Sequence, residues 1–342
     1  MSDLHVVLGA TGAIGSAVVA ALTARGHRVR AVSRHATSGA DQSRAGGTAG
    51  ETTATADGSG VAAGESGAAS SEPSAVTAFA ADVATAEGAV AACRDAAVVY
   101  QCAQPKYERW AEEFPAFTRT VLAGVEATGA KLVMADNLYV YGPVTGPMTE
   151  DLPHAATNPQ GRARAEVDAL ILDAHRAGRV RATLGRASDY YGPGGTNTTI
   201  GPTIFAAALA GKTARWVGDL DQPHTVAYLP DIAAALVTLG ENDGADGRAW
   251  HLPAAEPVTG RAFLDLVWAA AGGTPKIAGL GRGTQRLLGL LNPTVRALGE
   301  TWYQRDRPFV ADDSAFRAAF GQVEVTPHAT GVAATLDWYR AH

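Results

Sequence analysis

Gly9, Gly12 and Gly15 fall three residues apart in Gly9-Ala10-Thr11-Gly12-Ala13-Ile14-Gly15, directly after the apolar run Leu4–Leu8 and ahead of a helical pattern from Ser16 to Arg25. That spacing suits a dinucleotide. The first glycine permits a tight turn, the second lets the backbone approach a pyrophosphate, and the third lets helix and strand pack closely. The helix N-terminus then offers unpaired N–H groups and partial positive charge to a phosphate. Thr11, Ala13 and Ile14 lie in the same turn. A second strand, Arg28–Ser33, ends in Ser33-Arg34, and no acidic residue follows until Asp41. A carboxylate at that point would hold a ribose 2′-hydroxyl, whereas an arginine favours a 2′-phosphate. The pair Ser33 and Arg34 therefore predicts NADP as the cofactor, with a solvated surface arginine as the alternative.

These residues need a scaffold. Short strand-like runs at Leu4–Leu8, Arg28–Ser33, Val76–Phe79, Ala97–Tyr100 and Lys131–Ala135 alternate with helical patterns at Ser16–Arg25, Thr85–Arg94 and Phe114–Thr128. Strands separated by helices of that length imply a parallel sheet covered on both faces. The predicted fold is α/β, a Rossmann-type doubly wound parallel sheet with a smaller mixed C-terminal substrate lobe. Residues 1–180 form the dinucleotide domain in this reading. Residues 181–342 are mainly the lobe, and a segment near 226–240 returns to the core. Residues 36–75 hold Val61 as their only large aliphatic and no aromatic. Such composition cannot offset the entropy of ordering, so a flexible insertion is expected there.

Composition narrows the function classes. Of 342 residues, 46% are hydrophobic and 18% charged, and the formal charge is −6. An acidic chain without a basic stripe argues against nucleic acid. No apolar run approaches the ~20 residues that cross a bilayer, and the N-terminus lacks a secretory pattern, so no membrane partner and a cytoplasmic location are expected. Two cysteines, Cys93 and Cys102, make neither a disulfide framework nor a zinc site. No metal is expected. Nucleophile-elbow and phosphate-loop motifs are absent too.

Several further pieces carry a resemblance: the glycine turn, Ala81-Asp82-Val83, Val99-Tyr100-Gln101-Cys102-Ala103-Gln104, Val140-Tyr141-Gly142-Pro143, Tyr191-Gly192-Pro193-Gly194 and Tyr228-Leu229-Pro230-Asp231. Together they make the chain similar to an extended or atypical short-chain dehydrogenase/reductase of the NAD-dependent epimerase/dehydratase kind, over residues 4 to about 240. The resemblance implies that Asp82 accepts from the adenine amino group, that Val83 packs beside the ring, and that Ala103 and Gln104 lie along the ribose and diphosphate. It also makes a homodimer an expectation.

The chain departs from the family where the chemistry resides. The family usually carries Ser or Thr after the fifth strand and Tyr-x-x-x-Lys on the next helix; here Asp136-Asn137, Gln160 and Arg164 occupy those positions. Gln160 and Asn137 can donate to a carbonyl, but amides deliver no proton near neutral pH. One such donor is worth roughly 3–4 kcal/mol in favourable sites. Arg164 can hold ribose hydroxyls yet cannot act as an acid. A proton must come from Tyr139, Tyr141, Tyr190, Asp136, Asp189 or water, with Tyr139 ranked first and a merely packed tyrosine as its alternative. Asp136, Asp189 and Tyr190 are candidate substrate contacts. His224 stands where nucleotide-sugar members usually carry an arginine, which counts against a nucleotide-sugar substrate. Three functions stay open: an NADP-dependent oxidoreductase on a small carbonyl or conjugated alkene, a non-catalytic NADP sensor, and a redox-neutral isomerase or dehydratase.

Overall fold

The computed structural model describes residues 3–35, 75–321 and 323–342. The predicted insertion, residues 36–75, lies outside the described residues apart from Ala75 at its end.

Seven strands form one sheet: β1 (Leu4–Leu8), β2 (Arg28–Ser33), β3 (Val76–Ala80), β4 (Val98–Gln101), β5 (Lys131–Asn137), β6 (Arg181–Ala187) and β7 (Ala249–His251). Their order is β7-β6-β5-β4-β1-β2-β3, and every neighbouring pair is parallel. The central strands are buried on both faces, which explains why β1 and β4 read as continuous apolar runs rather than alternating ones. One face is covered by α2 (Ala86–Cys93), α3 (Trp110–Glu126) and α4 (Pro159–Arg176). There Ala92, Phe114, Val121, Val167 and Ile171 pack against Val6, Val99 and Leu132. The other face is covered by α1 (Ala13–Ala24) and α5 (Leu229–Glu241), where Val18 and Leu22 share a core with Ile232, Leu236 and Trp250.

The sheet reaches past residue 180. Both β6 and β7 belong to it, and α5 is the helix that returns to it, so sheet and lobe segments alternate along the chain after residue 180. With three residues, β7 is too short to stand out by composition. Helix α3 also starts earlier than expected, at Trp110, with Pro115 inside it. A proline reads locally as a helix opener, but here a 3-10 turn at Tyr107–Arg109 has already set the axis.

The lobe is built from scattered segments around Tyr191, Phe205, Trp216, Phe263, Trp268 and Leu336. Its strands are short pairs, Ala214–Val217 with Ile277–Leu280 in parallel and Pro223–His224 with Val258–Thr259 antiparallel. Among the described residues no helix is long and apolar enough to cross a membrane.

Candidate functional site

A groove of about 1100 Å³ runs across the C-terminal ends of the strands. Open α/β sheets bind ligands in such a crevice, where the strand order reverses; here β1 lies between β4 and β2. Gly9, Thr11, Gly12, Ala13 and Ile14 form its floor, and Ser33, Arg34, Asp82 and Val83 form one end. Ala103 and Gln104 line its side, and Tyr190 and Asn197 lie at its rim.

The turn needs its glycines. Gly9 has φ +79°, and a Cβ there would come within 2.7 Å of the Ala103 backbone nitrogen. A Cβ on Gly15 would fall 2.1 Å from the Gly9 carbonyl oxygen, so Gly15 is the point where helix and strand close together. At Gly12 the nearest atom would lie 3.3 Å away; its contribution is to leave the surface open. No side chain caps the start of α1. The first N–H groups of that helix are thus left for a ligand.

At the far end Arg34 is exposed, and it forms no ion pair with a described residue. Ser33 donates its hydroxyl to the His35 carbonyl. Asp82 accepts from the Ala84 N–H at 3.1 Å, which fixes its carboxylate in the turn after β3. A Cβ on Gly88 would strike the Asp82 carbonyl oxygen at 2.1 Å, so α2 also abuts this turn through a glycine.

The residues where a proton relay would be expected have a different environment. Arg164 is buried. It pairs with Asp136 at 3.1 Å, donates to Gln104 Oε1 at 2.9 Å, and stacks 4.2 Å from the Trp110 ring and 4.6 Å from the Phe114 ring. It does not itself line the groove: the aromatic face of α3 and the Asp136 carboxylate hold it, one hydrogen bond behind the groove-lining Gln104. Asp136 is itself buried between Arg164 and Arg186, the latter at 3.2 Å, and both its oxygens are taken up by these pairs. Arg186 also binds Asp168 and the Tyr141 hydroxyl, while Tyr141 contacts His251 at 2.6 Å. Tyr141 is thereby committed to packing, and burial pushes its phenol up to about 12.

Asn137 accepts from the Tyr139 N–H at 3.0 Å through its carbonyl, leaving its amide NH₂ as the end free to donate. Tyr139 packs edge-on to Tyr107 and against Trp110. Burial, then the neighbouring Tyr107, raises its phenol well above the usual range, so the residue ranked first as proton donor is a poor acid, one surrounded by aromatics. Gln160 is buried, and its Oε1 has no hydrogen-bond partner. Tyr190, which does line the groove, has its phenol raised by burial and by Asp189.

Asp189 is fixed from two sides. His224 lies 2.9 Å and Arg305 2.8 Å from its Oδ2. Burial alone would raise its carboxyl, but Arg305 and the His224 hydrogen bond outweigh that and hold it far below the ordinary carboxylate range. This residue is a strut, not an open substrate contact. Three segments distant in sequence meet there, and no spacing rule could have joined them. The same holds for Lys106, Arg109 and Asn197, which line the groove but carry no motif. Cys102 lines it as well, and burial pushes its thiol up to about 12.

A family model for the NAD dependent epimerase/dehydratase family matches residues 5–252. The chain belongs to that family. No curated protein matches the sequence. Among solved structures it resembles a dTDP-glucose 4,6-dehydratase from Streptomyces venezuelae with NAD bound, at 18% identity and TM-score 0.74, covering 98% of this chain and 96% of that one. A dTDP-glucose 4,6-dehydratase from Bacillus anthracis in complex with NAD gives 17%, 0.75, 99% and 97%. The UDP-glucose 4-epimerase of Thermus thermophilus, also with NAD, gives 20%, 0.71, 98% and 99%. At these identities the likeness establishes a shared fold. Gln160 and Arg164, which the sequence pattern sets at the positions of the family's usual Tyr and Lys, are both buried, Arg164 in an ion pair with Asp136.

Proposed function

We propose that the protein is an NADP-dependent oxidoreductase acting on a small, largely uncharged carbonyl or conjugated alkene. The observation that carries this reading is Arg34. Its guanidinium lines the adenosine end of the groove beside Ser33, without a described carboxylate partner, where an acidic residue would favour NAD. A planar guanidinium grips phosphate with two parallel hydrogen bonds. The glycine turn and the uncapped start of α1 suit the pyrophosphate, and Asp82 and Val83 suit the adenine.

When bound, the nicotinamide supplies or accepts hydride. The chain supplies orientation and polarisation. Tyr190 and Asn197 line the groove, and Asn137, at the end of β5 outside that lining, has an amide NH₂ suited to a developing oxyanion. With Tyr139 and Tyr141 committed to packing, Tyr190 is the tyrosine left beside the groove, and water is the other proton source.

A second reading has its own support. Arg164 held by Asp136 and Gln104 leaves the ribose without the cation that the family usually provides, which is what a cofactor-sensing protein without turnover would tolerate. The two readings separate in one experiment. Calorimetric titration with NADPH and NADH should give at least a tenfold preference for NADPH, about 1.4 kcal/mol, and Arg34→Ala should erase that preference while leaving NADH affinity unchanged. Equal affinities in the wild type would sink the NADP assignment. Oxidation of NADPH by a panel of enones and aldehydes then decides for the enzyme, and binding without any turnover decides for the sensor.

A further inference from the structure

Four leucines stand in the open on the lobe. Leu287, Leu288, Leu290 and Leu291 are 67%, 46%, 75% and 92% exposed, although elsewhere in the described chain Val90 is the one other large aliphatic so exposed. They sit at the end of the helix Arg282–Gly289 and in the link to the helix Pro293–Leu298. The two helices are tied together. Gln285 is buried and donates from Nε2 to the Val295 carbonyl at 2.6 Å, and Gly289 lies so close that a Cβ would meet the Arg296 backbone at 3.1 Å. The leucines are therefore held outward. Contiguous exposed apolar surface of this kind marks an interaction site.

The charge along this stretch of chain is one-sided, with Glu108 the acidic side chain that reaches it from another segment. From Leu266 to Gly299 the chain has Lys276, Arg282, Arg286 and Arg296 and no acidic residue, in a protein whose formal charge is −6. Arg282, Arg286 and Arg296 are exposed, and none forms an ion pair with a described residue. Two copies meeting here would bring six exposed arginines to one interface, a concentration of like charge that an anionic surface would relieve. A protruding leucine ridge with unpaired arginines at its foot fits an anionic bilayer: the leucines enter the acyl boundary and the guanidinium groups bind lipid phosphates. We propose that this hairpin docks the protein peripherally on an anionic membrane surface. The docking needs no membrane-spanning helix, and among the described residues none is long and apolar enough to be one.

The position of the hairpin links docking to the groove. Thr294 donates to Glu108 at 3.1 Å, and Thr301 contacts the Tyr107 hydroxyl at 3.4 Å, so the hairpin and the turn after it brace the segment that carries Lys106 and Arg109 along the groove. On the oxidoreductase reading, on which this clause rests, the substrate would be a lipophilic carbonyl or enone taken from the membrane.

Co-sedimentation with phosphatidylcholine vesicles, with and without 30 mol% phosphatidylglycerol, tests the docking. Binding should require the anionic lipid and weaken in 0.5 M salt. Leu290→Ser with Leu291→Ser should lower the partition coefficient about tenfold or more. Arg282→Gln and Arg286→Gln should each lower it roughly fivefold on anionic vesicles only. All four side chains are exposed, so the variants should keep the wild-type melting temperature and NADPH affinity. The proposal is overturned by absence of binding to anionic vesicles at low salt, by binding indifferent to the leucine substitutions, or by a wild-type dimer without vesicle affinity that the leucine variant dissociates. Vesicle binding is read without turnover, so failure of the redox reading would leave the docking result intact.

Discussion

Replacing Arg305 by Met removes the guanidinium from a buried carboxylate while keeping an apolar stem of similar reach. Two contacts are lost, Nη1 to Oδ2 of Asp189 at 2.8 Å and Nη2 to Oδ1 at 3.2 Å, and both side chains are shielded from water. Removing one partner of a buried pair costs about 3–5 kcal/mol, because the other charge stays buried without compensation. His224 remains 2.9 Å from Asp189, so the lower end, about 3 kcal/mol, is expected near pH 7.5. At an unfolding entropy of about 2.1 cal/mol/K per residue, that loss lowers the melting temperature of a 342-residue chain by about 4 °C. The pH dependence follows from Asp189. Its folded carboxyl lies far below the unfolded value of about 3.9, so its contribution is complete above that pH and is lost as pH falls toward the folded value. Without Arg305 most of that depression disappears, so wild-type and variant stabilities should converge on acidification. Calorimetric melts from pH 3 to 8, together with Asp189→Asn and the double variant, measure this. The double variant should be more stable than Arg305→Met alone, since it lacks the stranded charge. Parallel pH curves, or a loss below about 0.5 kcal/mol at pH 7.5, would refute the strut.

Gly15→Ala should abolish dinucleotide binding or folding, because the added methyl would fall 2.1 Å from the Gly9 carbonyl oxygen; a variant that binds NADPH normally would show that the turn is looser than described. Cys102 should resist a thiol reagent at pH 8 in the folded protein and react on denaturation, because burial raises its thiol to about 12; rapid labelling of the native protein would contradict that.

What could be read from the sequence was local. The path from β1 through the glycine turn into α1 depends on neighbours along the chain, and Gly9, Gly12 and Gly15 announce it by spacing alone. The positions of Ser33 and Arg34 followed from a strand end in the same way, while Asp82 was reached only through the family resemblance. Arg164 was different. Its position on the helix was legible, but its fate depends on Trp110 and Phe114 of α3 and on Asp136 of β5, and only the packed sheet brings those together. The Asp189–His224–Arg305 contact spans 116 residues and has no periodic signature. Nor did the exposed leucines differ in type from core leucines; only the fold distinguishes them.

The parallel pairing of β6 with β7 also sets an order of events during synthesis. Leu184, Gly185 and Arg186 wait for Ala249, Trp250 and His251, more than sixty residues downstream. Until those three residues leave the ribosome, β6 is an edge with open backbone donors and acceptors, and such edges recruit other chains. Gly185 sharpens the hazard, because any Cβ there would meet Leu236 at 2.6 Å, so the strand cannot carry a charged side chain at that point to repel a wrong partner. The nascent protein therefore passes through a stage with its glycine turn already made and its sheet still unsealed on the β6 side.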